Sequence, residues 1–235
     1  MKRIIALLIV VTSFTACAEL QKLLDTGGGL TTTEVAMGLK EALEVGITNG
    51  ADVLSARDGY LGSAYKILLP EEARQITNRL QAIPGFNMVE DVIIERINRA
   101  AEDAASRARP IFVAAIRSMT FEDAMGILMG PDDAATNYLH RVTYDALYQE
   151  FNPVILESLN KFNAIDYWED AVTAYNRIPF IQQANPRLDD YVTTQALVGL
   201  FDMVKKEEHG IRTDVSKRST DLLRRVFARQ DGARS

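Results

Sequence analysis

The sequence predicts an all-α fold, a single multi-helix, bundle-like domain of eight or nine helices. Apolar residues recur at helical spacing beyond residue 30, as at Val35, Leu39 and Leu43. Capping patterns and prolines divide this part of the chain into segments of helix length. Residues 60–69 form at most one short extended segment. These observations together indicate helices packed on one another, without a sheet.

The first helices are delimited by clear signals. Thr31 followed by Glu34 is typical of a capping box, which predicts a helix start there and an end near Gly59. Pro70, followed by two glutamates, predicts the start of a second helix that ends near residues 84–85.

The middle and the end of the chain continue this pattern. Residues 88–119 read as one long helical segment that Pro110 should kink or break. Thr120 with Asp123 predicts a further cap. The remaining predicted starts are residues 130–132, Asn152-Pro153, Asp166, Asn185-Pro186 and residues 219–221, of which the last begins a helix ending near Arg229.

The chain has no internal repeat and, after Gly29, no linker long enough to separate domains. We therefore expect one helical domain over residues 31–229, followed by a disordered tail at 230–235. Cys17 is the one cysteine in the sequence, so the chain cannot form an internal disulfide. The apolar core must hold the fold together.

Residues 1–16 have the pattern of an export signal. A basic head, Lys2-Arg3, precedes the apolar run at 4–11, which is far shorter than the roughly 20 residues that span a bilayer. Residues 14–17 (FTAC) resemble a bacterial lipobox, with Phe14 where leucine is usual. The interpretation is cleavage before Cys17 and acylation of its sulfur, which would anchor the protein to a membrane.

Residues 17–30 are then the lipidated cysteine and a flexible tether that contains three consecutive glycines. By resemblance to enterobacterial sorting, Ala18 after the cysteine favours the periplasmic side of the outer membrane. The plainer alternatives are a secretory signal with a chance cysteine, or an uncleaved anchor.

The charge of the chain is uneven. Residues 17–204 carry 15 basic and 27 acidic side chains, whereas residues 205–235 carry 9 basic and 5 acidic ones. An acidic body argues against nucleic acid as a partner. The basic end is suited to anionic headgroups or to pairing with the acidic body.

One edge of the long helical segment carries polar residues at helical spacing: Asp91, Glu95, Asn98, Glu102 and Arg109. Oxygen ligands on one edge can hold a hard cation, but a calcium site usually draws on a loop, and none is here. The alternative is a buried polar network in which Asn98 and Glu102 tie this helix to its neighbours, with Glu102 paired to Arg109. On the far side of the helix, Glu95, Arg99, Asp103 and Arg107 read as an exposed ladder of alternating charge.

Asp123 is a second candidate, because paired carboxylates near it could do acid–base work. Its place at a predicted helix start favours a capping role. No cofactor, metal or catalytic motif is predicted, and the two histidines, His140 and His209, lack metalloprotease spacing. The tyrosines of the helical body suit either an apolar pocket or a core with wet hydroxyls.

Three hypotheses follow for the function. The first is a membrane-anchored envelope lipoprotein whose helical domain binds a protein partner or another ligand. The second is a periplasmic carrier of a lipid or another apolar molecule, and the third is an envelope hydrolase with an unrecognised carboxylate site.

Several stretches, in order from about residue 38 to 228, carry a family resemblance, among them DGYLG, NRAAEDAASRARPIFVAAIRSMT, ILMGPDDAATNYL and LDDYVTTQALVGLFDMVKKEEHGIR. They resemble a family of bacterial exported or lipoprotein-type proteins catalogued as domain of unknown function 4197. The resemblance implies an α-helical, exported domain. It brings no activity and no catalytic residue.

Overall fold

The computed structural model describes residues 31–81, 87–161, 163–180 and 188–233. These residues form nine α-helices and one short 3₁₀ turn at Val215–Lys217, and they contain no β-strand. The helices are α1 (Thr32–Ser55), α2 (Glu71–Leu80), α3 (Val89–Ala105), α4 (Ala108–Ser118), α5 (Phe121–Leu128), α6 (Ala134–Lys161), α7 (Ala164–Asn176), α8 (Asp189–Thr213) and α9 (Asp221–Ala233). The all-α prediction is confirmed.

Four long helices, α1, α3, α6 and α8, form the centre of the domain. Helix α8 packs against the other three, α3 also packs against α1 and α6, and one apolar core runs through the whole set. Helices α4, α5 and α9 pack on α1, while α2 and α7 pack on each other and on α3. The apolar stretch at 191–204 belongs to α8, and its residues Val192, Leu197 and Leu200 are buried in this core.

The predicted caps at the starts of α1 and α5 are present. Thr31 and Glu34 form a reciprocal capping box, as do Thr120 and Asp123. Helix α1 ends at Ser55 rather than near Gly59, and the chain then turns back. A Cβ atom on Gly59 would lie 2.4 Å from the carbonyl oxygen of Val53, so this turn requires glycine.

Residues 60–69 contain turns followed by an irregular stretch from residue 66. The stretch alternates as a strand would, because Ile67 and Leu69 are buried while Leu68 is 49% exposed.

The long helical segment breaks earlier than the sequence predicted. Its break lies at Ser106 and Arg107, between α3 and α4, and Pro110 is the third residue of α4. A proline ring clashes with the carbonyl group four residues before it, which here belongs to Ser106, so α3 cannot continue through that point. Pro110 lacks an N–H group, but in the first turn of α4 this group would have no hydrogen-bond acceptor within the helix.

The predicted start at Asn152-Pro153 is wrong, because Pro153 lies inside α6. Phe151 and Ile155 on either side of it are fully buried and keep the helix in place. Pro153 itself is exposed, as is Gln149, so water can solvate the carbonyl group that loses its N–H partner.

The remaining boundaries differ less. Helix α7 begins at Ala164, two residues before Asp166, and α9 continues through residues 230–233, which were predicted to belong to a disordered tail. The predicted boundaries at 84–85 and 185–186, the signal at 1–16 and the tether at 17–30 lie outside the described residues. Among the helices of the described residues, none is long and apolar enough to cross a membrane.

Candidate functional site

Asn98, on α3, is fully buried and faces the irregular segment after residue 60. Its Oδ1 atom accepts a hydrogen bond from the Ile67 N–H group at 2.8 Å, and its Nδ2 atom donates to the Ile67 carbonyl oxygen at 2.8 Å. Nδ2 also donates to the Ile94 carbonyl oxygen within α3. The amide of Asn98 thus pairs with Ile67 as a neighbouring strand would, and fixes residue 67 on the helix.

Glu102, one turn further along α3, is also buried. Its Oε1 atom accepts hydrogen bonds from the N–H groups of Tyr60 and Leu61, both at 3.2 Å. Its Oε2 atom lies 2.8 Å from Nη1 of Arg99, and Nη2 of Arg99 reaches Asp58 at 2.9 Å. The hydrogen bond with Glu102 is the main cause that raises the pKa of Arg99. Every oxygen of the Glu102 carboxylate therefore has a partner.

Helix α8 holds the same segment from the other side. The Tyr60 hydroxyl donates to the Ala196 carbonyl oxygen at 2.7 Å, and the Tyr191 hydroxyl donates to the Leu68 carbonyl oxygen at 2.7 Å. Burial raises the pKa of Tyr60. The irregular segment is thus fixed between α3 and α8 by side chains of both helices.

Between residues 64–68 and α8 lies an open groove of about 440 Å³, which we call the loop groove. Two aromatic rings line it, those of Tyr65 and Tyr191, together with the half-exposed Leu68 and Val198. Its polar side chains are Lys66, Gln195 and Asp202. Burial and the neighbouring Asp202 carboxylate raise the pKa of Tyr65.

Arg109 does not join this cluster. It is exposed in the first turn of α4, and the carboxylate of Glu102 pairs with Arg99 instead. The break at residues 106–107 is the reason, since it ends the continuous helix on which the spacing of Arg109 was counted.

Two of the side chains predicted to form an exposed ladder of alternating charge along α3 have other partners in the structure. Arg99 bonds Glu102 and Asp58, and Asp103 accepts a hydrogen bond from the buried Ser158 of α6 at 2.5 Å. Two members of the ladder therefore bind other parts of the fold.

Asp123 lies in the first turn of α5. Its carboxylate accepts hydrogen bonds from the N–H group and the hydroxyl of Thr120 at 3.0 and 2.7 Å. These bonds lower its pKa. With Tyr138 and Arg141 it lines a small open pocket of about 320 Å³.

A second buried polar cluster, absent from the sequence analysis, lies where α5 ends, α6 begins and α8 ends. Glu208 accepts hydrogen bonds from the N–H groups of Ala135 and Thr136 at 2.9 and 2.8 Å. Arg212 donates to Glu208 at 2.8 Å and to the Ile127 carbonyl oxygen at 2.9 Å. The four-residue spacing of Glu208 and Arg212 in EEHGIR was a signal for this pair.

Arg218 extends this cluster to the last helix. It is buried, and its guanidinium group donates to the carbonyl oxygens of Ile211 and Arg212, both at 3.0 Å. Its charge also lies 5.5 Å from the ring centroid of Phe227 on α9. The end of α8 is therefore capped by a buried cation.

Another open groove, of about 670 Å³, lies between α4 and α6. Its floor is mostly apolar, with Ile111, Ala115 and Val142, and Arg107 and Glu150 lie along its rim. None of the described residues form a group of three or more side chains suited to hold a metal ion. Cys17 lies outside the described residues.

The model of a family described as protein of unknown function (DUF4197) matches residues 29–228. The chain belongs to this family. The match includes the residues that form the loop groove and both buried clusters. Neither a curated protein nor a solved structure is similar enough to the chain to count as a match. The family therefore supports the domain as a unit, and it assigns no reaction to any residue.

Proposed function

We propose that the protein is a bacterial envelope lipoprotein, held at the periplasmic side of the outer membrane by acylated Cys17, and that its helical domain is a binding module. The signal-like residues 1–16 and the lipobox-like residues before Cys17 support the anchor. The preformed loop groove supports the binding role.

The groove is suited to binding because its wall is fixed in the folded protein. Asn98, Glu102 and Tyr191 hold the backbone of residues 60–68 through hydrogen bonds of 2.7–3.2 Å. An irregular segment would otherwise have to be ordered when a ligand arrives, at a cost in entropy that weakens binding. Here that ordering takes place on folding.

A carrier of apolar molecules fits the structure less well. Such a protein encloses its cargo in a cavity of about 300–1,000 Å³. Three hollows formed by the described residues, of about 670, 440 and 320 Å³, are open to solvent. A more enclosed hollow beside Leu39 and Phe227 holds only about 10 Å³. These shapes favour binding at the surface.

The hydrolase hypothesis also has less support. Asp123 was the carboxylate considered for acid–base work, and its hydrogen bonds with Thr120 lower its pKa. A general acid near neutral pH needs a raised pKa. The capping geometry accounts for this residue without a reaction.

The anchor is tested by intact-mass measurement of the native protein extracted from membranes. We expect a chain that begins at Cys17 and carries the added mass of its acyl groups. In the Cys17→Ser variant, the mature form of the protein should no longer be found in the membrane fraction. A native protein with Met1 present and an unmodified sulfur would rule out the anchor.

The binding role is tested by photo-crosslinking in living cells. A photoreactive phenylalanine derivative replaces Val198, which is 57% exposed in the loop groove. Val53 on α1, 52% exposed, and Val142 in the α4–α6 groove, 46% exposed, provide matched controls. We expect an adduct that forms at position 198 and at neither control. Equal labelling at all three positions, or none at 198, would contradict the proposed surface.

A further inference from the structure

The loop groove has two tyrosines in its lining, Tyr65 and Tyr191. Tyr65 lies close to α8, since a Cβ atom on Gly199 would be in ordinary van der Waals contact with it at 3.5 Å, and would be tighter, at 3.0 Å, against Cε1 of Tyr60. Tyr191 lines the same groove, and its hydroxyl is fixed on Leu68. Each tyrosine thus offers an apolar ring face beside a polar oxygen.

The polar side chains of the groove are balanced in charge and in hydrogen bonding. Lys66 supplies N–H donors, Asp202 supplies acceptors, and the Gln195 amide supplies both. The two charges are opposite, so the groove has no strong preference for an anion or for a cation. A purely apolar chain would make no hydrogen bond with these three side chains and would displace water from them, at a cost in free energy.

The groove is open to solvent and has a volume of about 440 Å³, within the usual range for small ligands. An open groove can hold part of a longer, chain-like molecule. The ligand that suits these walls is neutral, carries both donors and acceptors, and has rings with apolar faces.

We propose that the loop groove binds an oligosaccharide, with sugar-ring faces on Tyr65 and Tyr191 and hydroxyl groups on Gln195 and Asp202. The inference rests on the proposed function, because it names the ligand class of the same groove. In an envelope, such chains can be polymers of N-acetylated amino sugars or of neutral hexoses.

The test uses the full native chain, purified from membranes in a detergent without a sugar headgroup. A tetramer of N-acetylglucosamine and maltotetraose are titrated separately by calorimetry and by ligand-observed NMR. We expect saturable binding of at least one of them. Preference for the first indicates amino-sugar polymers as the source, and preference for the second indicates hexose polymers.

Variants locate the binding. Asp202→Ala and Gln195→Ala should each weaken the affinity about tenfold, because each removes hydrogen bonds to sugar hydroxyls. Asp145→Ala and Gln149→Ala, which change the same residue types on the exposed side of α6, should leave it unchanged. Thermal unfolding of all four variants establishes that they are folded.

Two results would overturn the inference. One is the absence of binding by both tetrasaccharides at millimolar concentration, and the other is binding that the groove variants do not weaken. If the crosslink at Val198 persists while sugar binding is absent, the groove binds something else and the oligosaccharide assignment is wrong. Loss of both the crosslink and the sugar binding would reject the proposed surface itself.

Discussion

Two buried polar clusters join separate elements of this fold, and they differ in what lies beside them. The cluster of Glu208, Arg212 and Arg218 joins three helix ends, and most of its hydrogen bonds are with backbone groups or within the cluster. The cluster of Asn98 and Glu102 holds an irregular segment whose opposite side forms the loop groove. The first cluster replaces missing helical hydrogen bonds, whereas the second one shapes a surface. The comparison teaches that buried polar side chains support the proposed binding role only in the second cluster, where the backbone that they hold also faces solvent.

The largest expected effect breaks the first cluster. Arg212→Met leaves the buried Glu208 carboxylate without its cation and the Ile127 carbonyl oxygen without its donor. We expect a loss of about 3–5 kcal/mol in the free energy of unfolding, measured by urea denaturation.

The second variant, Glu208→Gln with Arg212→Met, removes the buried charge as well. Its loss in the free energy of unfolding should be smaller than the sum of the losses in Glu208→Gln and Arg212→Met, because each single change leaves one charge unpaired. Additive losses would show that the two side chains do not act as a pair.

Asn98→Leu breaks the second cluster. It leaves the N–H and C=O groups of Ile67 unpaired, which should cost about 2–4 kcal/mol. Hydrogen exchange should accelerate in residues 60–69, and the crosslink from Val198 should weaken. In the Arg212→Met protein, below its unfolding transition, exchange in residues 60–69 should stay as in the native chain. Equal acceleration in both variants would mean that the clusters are not separate.

Tyr60→Phe sharpens the comparison with a smaller change. It removes one hydrogen bond to the Ala196 carbonyl oxygen, which still accepts a bond within α8. We expect a loss of about 1 kcal/mol in urea denaturation and a binding surface that still forms. If the free energy of unfolding fell as much as in Asn98→Leu, the Tyr60 hydroxyl would be as important as Asn98 in holding residues 60–69.

Changes in the two exposed capping boxes should have the smallest effect on stability, and the effects of changes in the two buried clusters can be compared with it. Hydrogen bonds with Thr31 and Thr120 lower the pKa values of Glu34 and Asp123 from 4.5 and 3.8. Their contribution is therefore complete above those ordinary values and is lost as the pH falls through the lower values of the folded protein. Between pH 5 and 3, roughly the window of these carboxyl groups, Tm should fall less in Glu34→Gln/Asp123→Asn than in the native chain.

The control for that experiment is Glu157→Gln/Asp145→Asn, which changes exposed positions of α6 outside its first turn. Its Tm should fall with pH as steeply as that of the native chain. If both double variants behave alike, the fall in Tm reflects overall charge and not the caps.

Local signals in the sequence predicted the helices and some of their ends. The capping boxes at Thr31 and Thr120 depend on contacts three residues apart, so they can be read directly from the sequence. Pro153 misled the prediction, because burial of Phe151 and Ile155 outweighs the one hydrogen bond that proline removes. Pro110 shows the reverse, since its ring stops α3 one turn upstream.

Only part of the candidate site could be predicted from the sequence. Helical spacing put Asn98 and Glu102 on one edge, with a buried role among the alternatives. Their partners, Ile67, Tyr60 and Leu61, lie 31 to 42 residues away along the chain, where no periodicity connects them. Arg109 was wrongly included with this edge because the helix break was placed too late.

The sequence by itself determined the all-α class, the main helix caps and the lack of an internal disulfide, because these depend on residue type and on short-range spacing. The tertiary structure decided which polar side chains are buried, which helix ends they complete, and that residues 60–69 form the wall of a groove. Those outcomes depend on contacts between distant segments, whose free energy exists only once the helices have packed.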